Sequence, residues 1–177
     1  MHPEKDKYEG ALTLMNNLPG MVYRCNIVQG NFTFAYVSDG CLPLTGYTAD
    51  ELTQKDGINF YDMLHPDDEE WMKKLAGETI DVGLPFDATY RIITKDGTTK
   101  WIWERSVVSE FKSDGTPKTV EGFDTDVTEL WRLRSAEEEF ERASLMLNAT
   151  PLMCILWNKD HKILDVNKKT IEILFLP

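Results

Sequence analysis

The sequence predicts an α+β fold, and three observations carry that prediction. Pro85–Arg134 reads as three long strands joined by two marked turns and ending in a capped helix. Met21–Val28 and Phe32–Ser38 read as an earlier strand pair, separated from that block by short helical segments. Helical stretches stand outside both ends, over Glu4–Leu18 and after Thr128.

Each element has a local reason. Glu4–Leu18 is helical in pattern and stops at the breaker pair Pro19-Gly20. Gln29-Gly30-Asn31 supplies the turn of the first strand pair. Asp39 is placed to cap the short segment through Leu44. Thr48-Ala49-Asp50-Glu51 is a capping box, in which the hydroxyl and the carboxylate each satisfy a free amide at a helix start. Phe60–Leu64 reads as one more helical turn. His65-Pro66-Asp67-Asp68-Glu69-Glu70 opens a longer helix, because proline at the first position costs no hydrogen bond and the carboxylates sit at the positive end of the dipole. Lys73 and Lys74 follow Glu69 and Glu70 by four residues, as weak helical ion pairs require. Phe86–Thr94 alternates Phe86, Ala88, Tyr90, Ile92 against Asp87, Thr89, Arg91, which suits a half-buried strand. Lys95-Asp96-Gly97 turns the chain into Trp101–Phe111, and Ser113-Asp114-Gly115 turns it again into Thr119–Val127.

Composition narrows the class. With 42% hydrophobic and 28% charged residues, the 177-residue chain can bury an ordinary core, and its length suits one domain of roughly 100–150 residues plus additional material. A net charge of −11 argues against nucleic-acid binding, since phosphates would repel it. Cys25, Cys41 and Cys154 form no CxxC pair, which argues against a cysteine zinc site or a disulfide framework and fits a reducing compartment. The longest apolar run, Leu152–Trp157, is too short to span a bilayer, and Met1–Asp6 lacks the apolar core of a signal peptide. A soluble, cytoplasmic chain is expected, with no membrane insertion and no metal site.

Past Thr128, Leu133, Ala136, Phe140, Ala143 and Leu147 recur at 3-4-3-4 spacing. This stripe is either the apolar face of a helix lying on its own sheet or a parallel dimer seam. The chain then begins again: Leu14-Met15-Asn16-Asn17-Leu18-Pro19-Gly20-Met21 is echoed by Met146-Leu147-Asn148-Ala149-Thr150-Pro151-Leu152-Met153. Strand, turn, strand and helix start follow over Met153–Asn167, as they do at Met21–Thr45.

Tyr36-Val37-Ser38-Asp39, Leu44-Thr45-Gly46-Tyr47, Leu64-His65-Pro66-Asp67-Asp68, Tyr90-Arg91-Ile92, Lys95-Asp96-Gly97, Trp101 and Gly122-Phe123-Asp124-Thr125-Asp126-Val127-Thr128 together resemble the PAS family, in the branch carrying a PAC motif. The resemblance covers about residues 14–134, and the partial repeat extends it to Pro177. It implies a five-stranded antiparallel sheet in the order 2-1-5-4-3, with helices over one face around a small cavity. It also implies sensing, dimerisation or signal relay within proteins such as sensor histidine kinases or diguanylate cyclases. The expected organisation is a flanking helix over 1–13, a sensor domain over 14–128, a linker helix over 129–149 and the start of a second PAS module over 150–177.

Candidate site residues follow from both readings. Asp126 and Thr128 match the family's signal-relay motif where the last strand meets the output helix, and either can accept amides of the first helical turn, with Glu129 as a reciprocal partner. Phe34, Tyr36, Tyr90 and Ile92 are pocket-lining candidates from alternation alone, and Trp101 and Trp103 are read as packing residues. Asp124 and Asp126 share a strand face, but no nucleophile or histidine converges on them, so no enzyme activity is expected. His65 is read as a capping residue rather than a haem ligand, and Cys41 lacks the surroundings of a flavin-adduct cysteine. The cofactor therefore stays unassigned. None of His2, His65 and His161 sits in a phosphoacceptor context. A homodimer is expected, with a small-molecule ligand as a possible input. The alternative class is a small free-standing ligand-binding protein or enzyme with a cavity between curved sheet and helices.

Overall fold

A computed structural model describes residues 3–28, 30–54 and 57–174; Gln29 of the expected turn, His2 and Phe175 lie outside the described residues. The chain divides into two compact units, Met1–Thr128 and Glu129–Pro177.

The first unit runs α1 (Pro3–Asn16), β1 (Met21–Val28), β2 (Asn31–Val37), α2 (Cys41–Thr45), α3 (Ala49–Thr53), α4 (Phe60–Met63), a 3₁₀ turn (Pro66–Asp68), α5 (Glu69–Thr79), β3 (Phe86–Ile93), β4 (Thr99–Phe111) and β5 (Pro117–Asp126). The five strands form one antiparallel sheet in the order β2-β1-β5-β4-β3, as expected. Inward residues of the sheet, among them Tyr23, Cys25, Phe34, Tyr90, Ile102 and Val120, meet Leu44, Leu52, Met63, Met72 and Ala76 of the short helices in one apolar core. Fully burying a side chain of this size contributes roughly 1.5–3 kcal/mol, so this layer is what holds such short helices in place.

Local chemistry sets the helix boundaries. Thr48 and Glu51 make the expected reciprocal cap of α3, and Asn59 and Asp62 make a second one at α4 that the sequence reading did not pick out. Pro66 starts a 3₁₀ turn rather than the long helix itself, with His65 Nδ1 accepting the Asp67 amide at 3.3 Å. Asp39 does not cap α2: the N-cap is Gly40, and the Asp39 amide instead donates to Asn16 Oδ1 at 3.1 Å. Lys73 pairs with Glu69 as expected, whereas Lys74 reaches forward to Glu78 at 3.9 Å.

In the second unit, α6 (Thr128–Ala149) leads to β6 (Ile155–Trp157), β7 (Ile163–Val166) and α7 (Lys168–Leu174). No residue of α6 is buried, and Leu133 and Phe140 of the seam are 63% and 65% exposed. The β6–β7 hairpin is held by Asn167, whose Oδ1 accepts the Cys154 amide at 3.0 Å and the Thr170 hydroxyl at 2.7 Å. These bonds repeat those of the first unit. Val22 N–H donates to Ser38 Oγ at 2.9 Å, where Cys154 N–H donates to Asn167 Oδ1. Asn16 Oδ1 accepts the Asp39 amide, where Asn148 Oδ1 accepts the Lys168 amide at 2.8 Å.

Candidate functional site

Two carboxylates stand inside the core of the first unit. Glu104 on β4 and Asp124 on β5 are direct cross-strand partners, and both are buried. Alternation along β4 turns Ile102, Glu104 and Ser106 inward, and Trp101 and Trp103 to the other face. There the indole N–H of Trp103 donates to Asp87 Oδ1 at 2.9 Å, and Arg91 stands 5.4 Å over the Trp101 ring. A reading by hydrophobicity alone puts the tryptophans inside. The actual register buries the acid.

Three hydroxyls hold Glu104. Tyr90 donates to Oε2 at 2.8 Å, Ser106 donates to Oε1 at 2.9 Å, and Tyr23 donates to the same Oε1. Tyr23 sits on β1, so its side chain must cross β5 to reach β4. Gly122 on β5 is paired with both Tyr23 and Ser106, and a Cβ there would lie 2.6 Å from the Tyr23 hydroxyl and 2.7 Å from the Ser106 Cβ. Absence of a side chain at residue 122 is thus what lets the Tyr23–Glu104 bond form.

Asp124 is held differently. Its Oδ1 is buried and accepts no hydrogen bond. Burial pushes its carboxyl well above the ordinary range, and the neighbouring Glu104 charge adds to the rise. Burial also raises Glu104, but its three hydroxyl donors oppose that shift. Two adjacent buried carboxylates cannot both ionise cheaply. The donors favour the anion on Glu104, so the shared proton belongs on Asp124. Burial first, and then these acids, push both tyrosines well above the usual phenol range, so Tyr23 and Tyr90 remain donors.

Glu104 opens onto a core cavity of about 20 Å³, room for about one water molecule. Its wall includes Tyr23, Phe32, Phe60, Tyr61, Met72 and Phe86. Phe32, Phe60, Tyr61 and Tyr90 are linked by edge-to-face contacts at 5.8–6.5 Å. The sequence-derived candidates fall around this cavity rather than on its wall. Tyr90 and Ile92 are buried in the core, and Tyr90 reaches the site through its hydroxyl. Phe34 is buried edge-on to Tyr23 at 6.0 Å. Tyr36 is on the opposite face of the sheet. A bulge puts Ala35 out of register, so that Phe34 pairs with inward Cys25 but Tyr36 pairs with outward Arg24. Tyr36 therefore lines a groove with Leu12, Met15 and Val22 on the side of α1. Strict period-two counting fails across a bulge.

Two residues beyond Asp124 the strand reaches the junction with α6. Asp126 Oδ1 accepts the Thr128 amide at 2.9 Å, and its other oxygen lies 3.3 Å from Lys100 Nζ. The Thr128 hydroxyl turns away from the helix to accept the Trp101 amide of β4 at 2.9 Å. Only Asp126 among the expected capping groups bonds the helix start in the way foreseen; Thr128 pins the junction to the sheet instead. Asp124 and Asp126 share a strand face, yet the partner of Asp124 is Glu104, and Asp126 is at the exposed end of the strand. Among the described residues no group of three or more His, Cys, Asp or Glu could hold a metal ion. No described helix is long and apolar enough to cross a membrane.

A family profile described as the PAS fold matches residues 34–124, just over half of the chain. The chain belongs to the PAS family. Solved PAS structures are similar in fold. A PAS domain from Colwellia psychrerythraea is 18% identical, with 70% of this chain and 99% of that one covered at a TM-score of 0.55. A sensory box histidine kinase/response regulator from Burkholderia thailandensis is 24% identical, with 77% and 98% covered at 0.55. The N-terminal domain of a diguanylate cyclase with PAS/PAC sensor from Marinobacter aquaeolei is 21% identical, with 62% and 95% covered at 0.50. No match is found among curated proteins.

Proposed function

We propose that this PAS chain is a sensory and relay module whose core state is passed through β5 to α6, within a bacterial-type signalling protein such as a histidine kinase or diguanylate cyclase. One observation carries the reading: the same strand bears Asp124 in the core and Asp126 at the helix junction, two residues apart. A change at the acid pair that shifts β5 acts directly on the cap of α6. Capping energies of about 1 kcal/mol are of the size that biases a two-state element. The Burkholderia and Marinobacter relatives supply the candidate outputs.

Association as a homodimer through the flanking helices belongs to the same proposal. The exposed Leu133–Phe140 stripe of α6, the exposed Leu14 of α1 and the exposed Leu18 just past the end of α1 support it. The sensor domain is assigned to 14–128, the linker helix to 129–149 and the start of a second PAS module to 150–177. Repetition of the Asn16–Asp39 and Val22–Ser38 bonds as Asn148–Lys168 and Cys154–Asn167 supports that last assignment. Asp126→Ala tests the relay. Hydrogen exchange in the first turn of α6 is expected to respond to Gly122→Ala in the native background and to lose that response when Asp126 is also replaced. Protection at α6 that ignores both changes would count against a relay.

A further inference from the structure

The two buried acids face each other across the same strand pair that holds the start of α6. Asp124 on β5 is opposite Glu104 on β4, and its buried Oδ1 accepts no hydrogen bond. Glu104 takes three hydroxyl donors for itself. Among the described residues no Lys, Arg or His forms an ion pair with either carboxylate. A second negative charge here has neither donors nor a counter-charge, and the two strands can lower its cost only by moving apart. Three residues before Glu104, Trp101 ties β4 to the junction. Its carbonyl accepts the Val127 amide at 2.8 Å, and its amide donates to Thr128 Oγ at 2.9 Å. Two residues after Asp124, Asp126 accepts the Thr128 amide. Separation of β4 from β5 at the acids therefore strains the bonds that hold the helix start.

We propose that the Glu104–Asp124 pair is a proton-operated switch: a proton on Asp124 keeps β4 and β5 closed and the start of α6 held, and its release forces the strands apart and loosens the junction. The inference deepens the sensory reading and rests on it, by naming the proton as an input. The other titrating groups that face the pair are Tyr23 and Cys25 on β1, Tyr61 on α4 and Tyr90 on β3. Burial is the largest cause in all four, acid charges add to it, and each is raised, so they stay neutral while the pair changes charge. On the α5 side, Met72 and Ala76 add no charge. A group raised by folding loses its contribution as pH climbs, so the switch is closed at low pH and opens on the alkaline side. Asp126 titrates at the other end of the scale. Partial burial raises its carboxyl, but the Thr128 bonds and Lys100 outweigh that and keep it below the ordinary range.

Nuclear magnetic resonance of the full chain between about pH 4 and pH 9 reads both halves of the switch. Side-chain carboxyl shifts follow the charge on Asp124, and hydrogen exchange at the Trp101, Val127 and Thr128 amides follows the junction. As Asp124 loses its proton, these amides are expected to lose protection roughly fivefold, the size of one helix cap, after correction for the intrinsic pH dependence of exchange. Asp124→Asn is expected to abolish the step. Glu104→Gln removes the neighbouring charge and is expected to move the step to lower pH, which keeps the test open should Asp124→Asn fail to fold. An Asp124 that keeps one charge state across the range, or that titrates with no matching step at the three amides, overturns the inference. So does an unchanged step in Asp124→Asn. The relay is read separately through Gly122→Ala. A junction that answers Gly122→Ala but ignores pH removes the proton input and leaves the sensory reading, whereas one that ignores both removes both.

Discussion

Replacing Asp124 by Asn keeps the shape of the side chain, removes one titrating group from the core and adds amide donors beside Glu104. The native carboxyl has its pKa raised well above 3.8, first by burial and then by Glu104. A group raised in the folded state contributes its full stability below the unfolded pKa and loses it as pH rises through the folded value. Each pH unit climbed between those two values costs the native chain about 1.4 kcal/mol. Asn does not titrate, so the variant escapes that loss. The unpaired Oδ1 adds a standing penalty of roughly 1–3 kcal/mol, which an amide hydrogen-bonded to Glu104 relieves in part. Asp124→Asn is therefore expected to match the native chain near pH 4 and to exceed it by at least about 1 kcal/mol at pH 8, a Tm difference of roughly 2–5 °C. Urea unfolding followed by tryptophan fluorescence at stepped pH gives the two curves. Parallel curves across that range, or a variant less stable at pH 8, would refute the acid-pair reasoning.

Gly122→Ala places a Cβ 2.6 Å from the Tyr23 ring and is expected to cost about 2–3 kcal/mol, with the Tyr23 hydroxyl displaced from Glu104 in tyrosine NMR spectra. Arg91 holds Asp68 by bonds of 2.6 and 3.0 Å and keeps its carboxyl down at about 2. That lowered pKa contributes stability above the unfolded value, lost as pH falls toward about 2, so Asp68→Asn should cost about 2 kcal/mol at neutral pH and nothing below pH 2 in acid titrations of the folded signal. Phe140→Glu puts a charge into the exposed stripe of α6 and should weaken self-association roughly tenfold or more in sedimentation velocity; equal sedimentation of native and variant would exclude this face from the dimer.

Much of the fold is written in short stretches of sequence, because the forces that set it act within a few residues. Gly97 and Gly115 close the β3–β4 and β4–β5 turns at φ of 84° and 82°, and both turns are legible from Lys95-Asp96-Gly97 and Ser113-Asp114-Gly115. The Thr48–Glu51 box and the His65 cap are equally local. The order and spacing of the motifs from Tyr36 to Thr128 carry the resemblance to the PAS family. The site was not legible in the same way. Glu104 and Asp124 meet only because β4 and β5 pair in one register, and a one-residue slip would turn either acid to the other face. The bulge at Ala35 sends Tyr36 away from the core, and Gly122 admits Tyr23 across β5; neither leaves a periodic trace in the sequence. Sequence by itself determined which segments are strands, where they turn and how α3 is capped, since those choices rest on neighbouring residues. Tertiary structure decided which face of each strand is inside and therefore that two carboxylates, not two tryptophans, occupy the core, since burial and charge pairing belong to strands brought together in space.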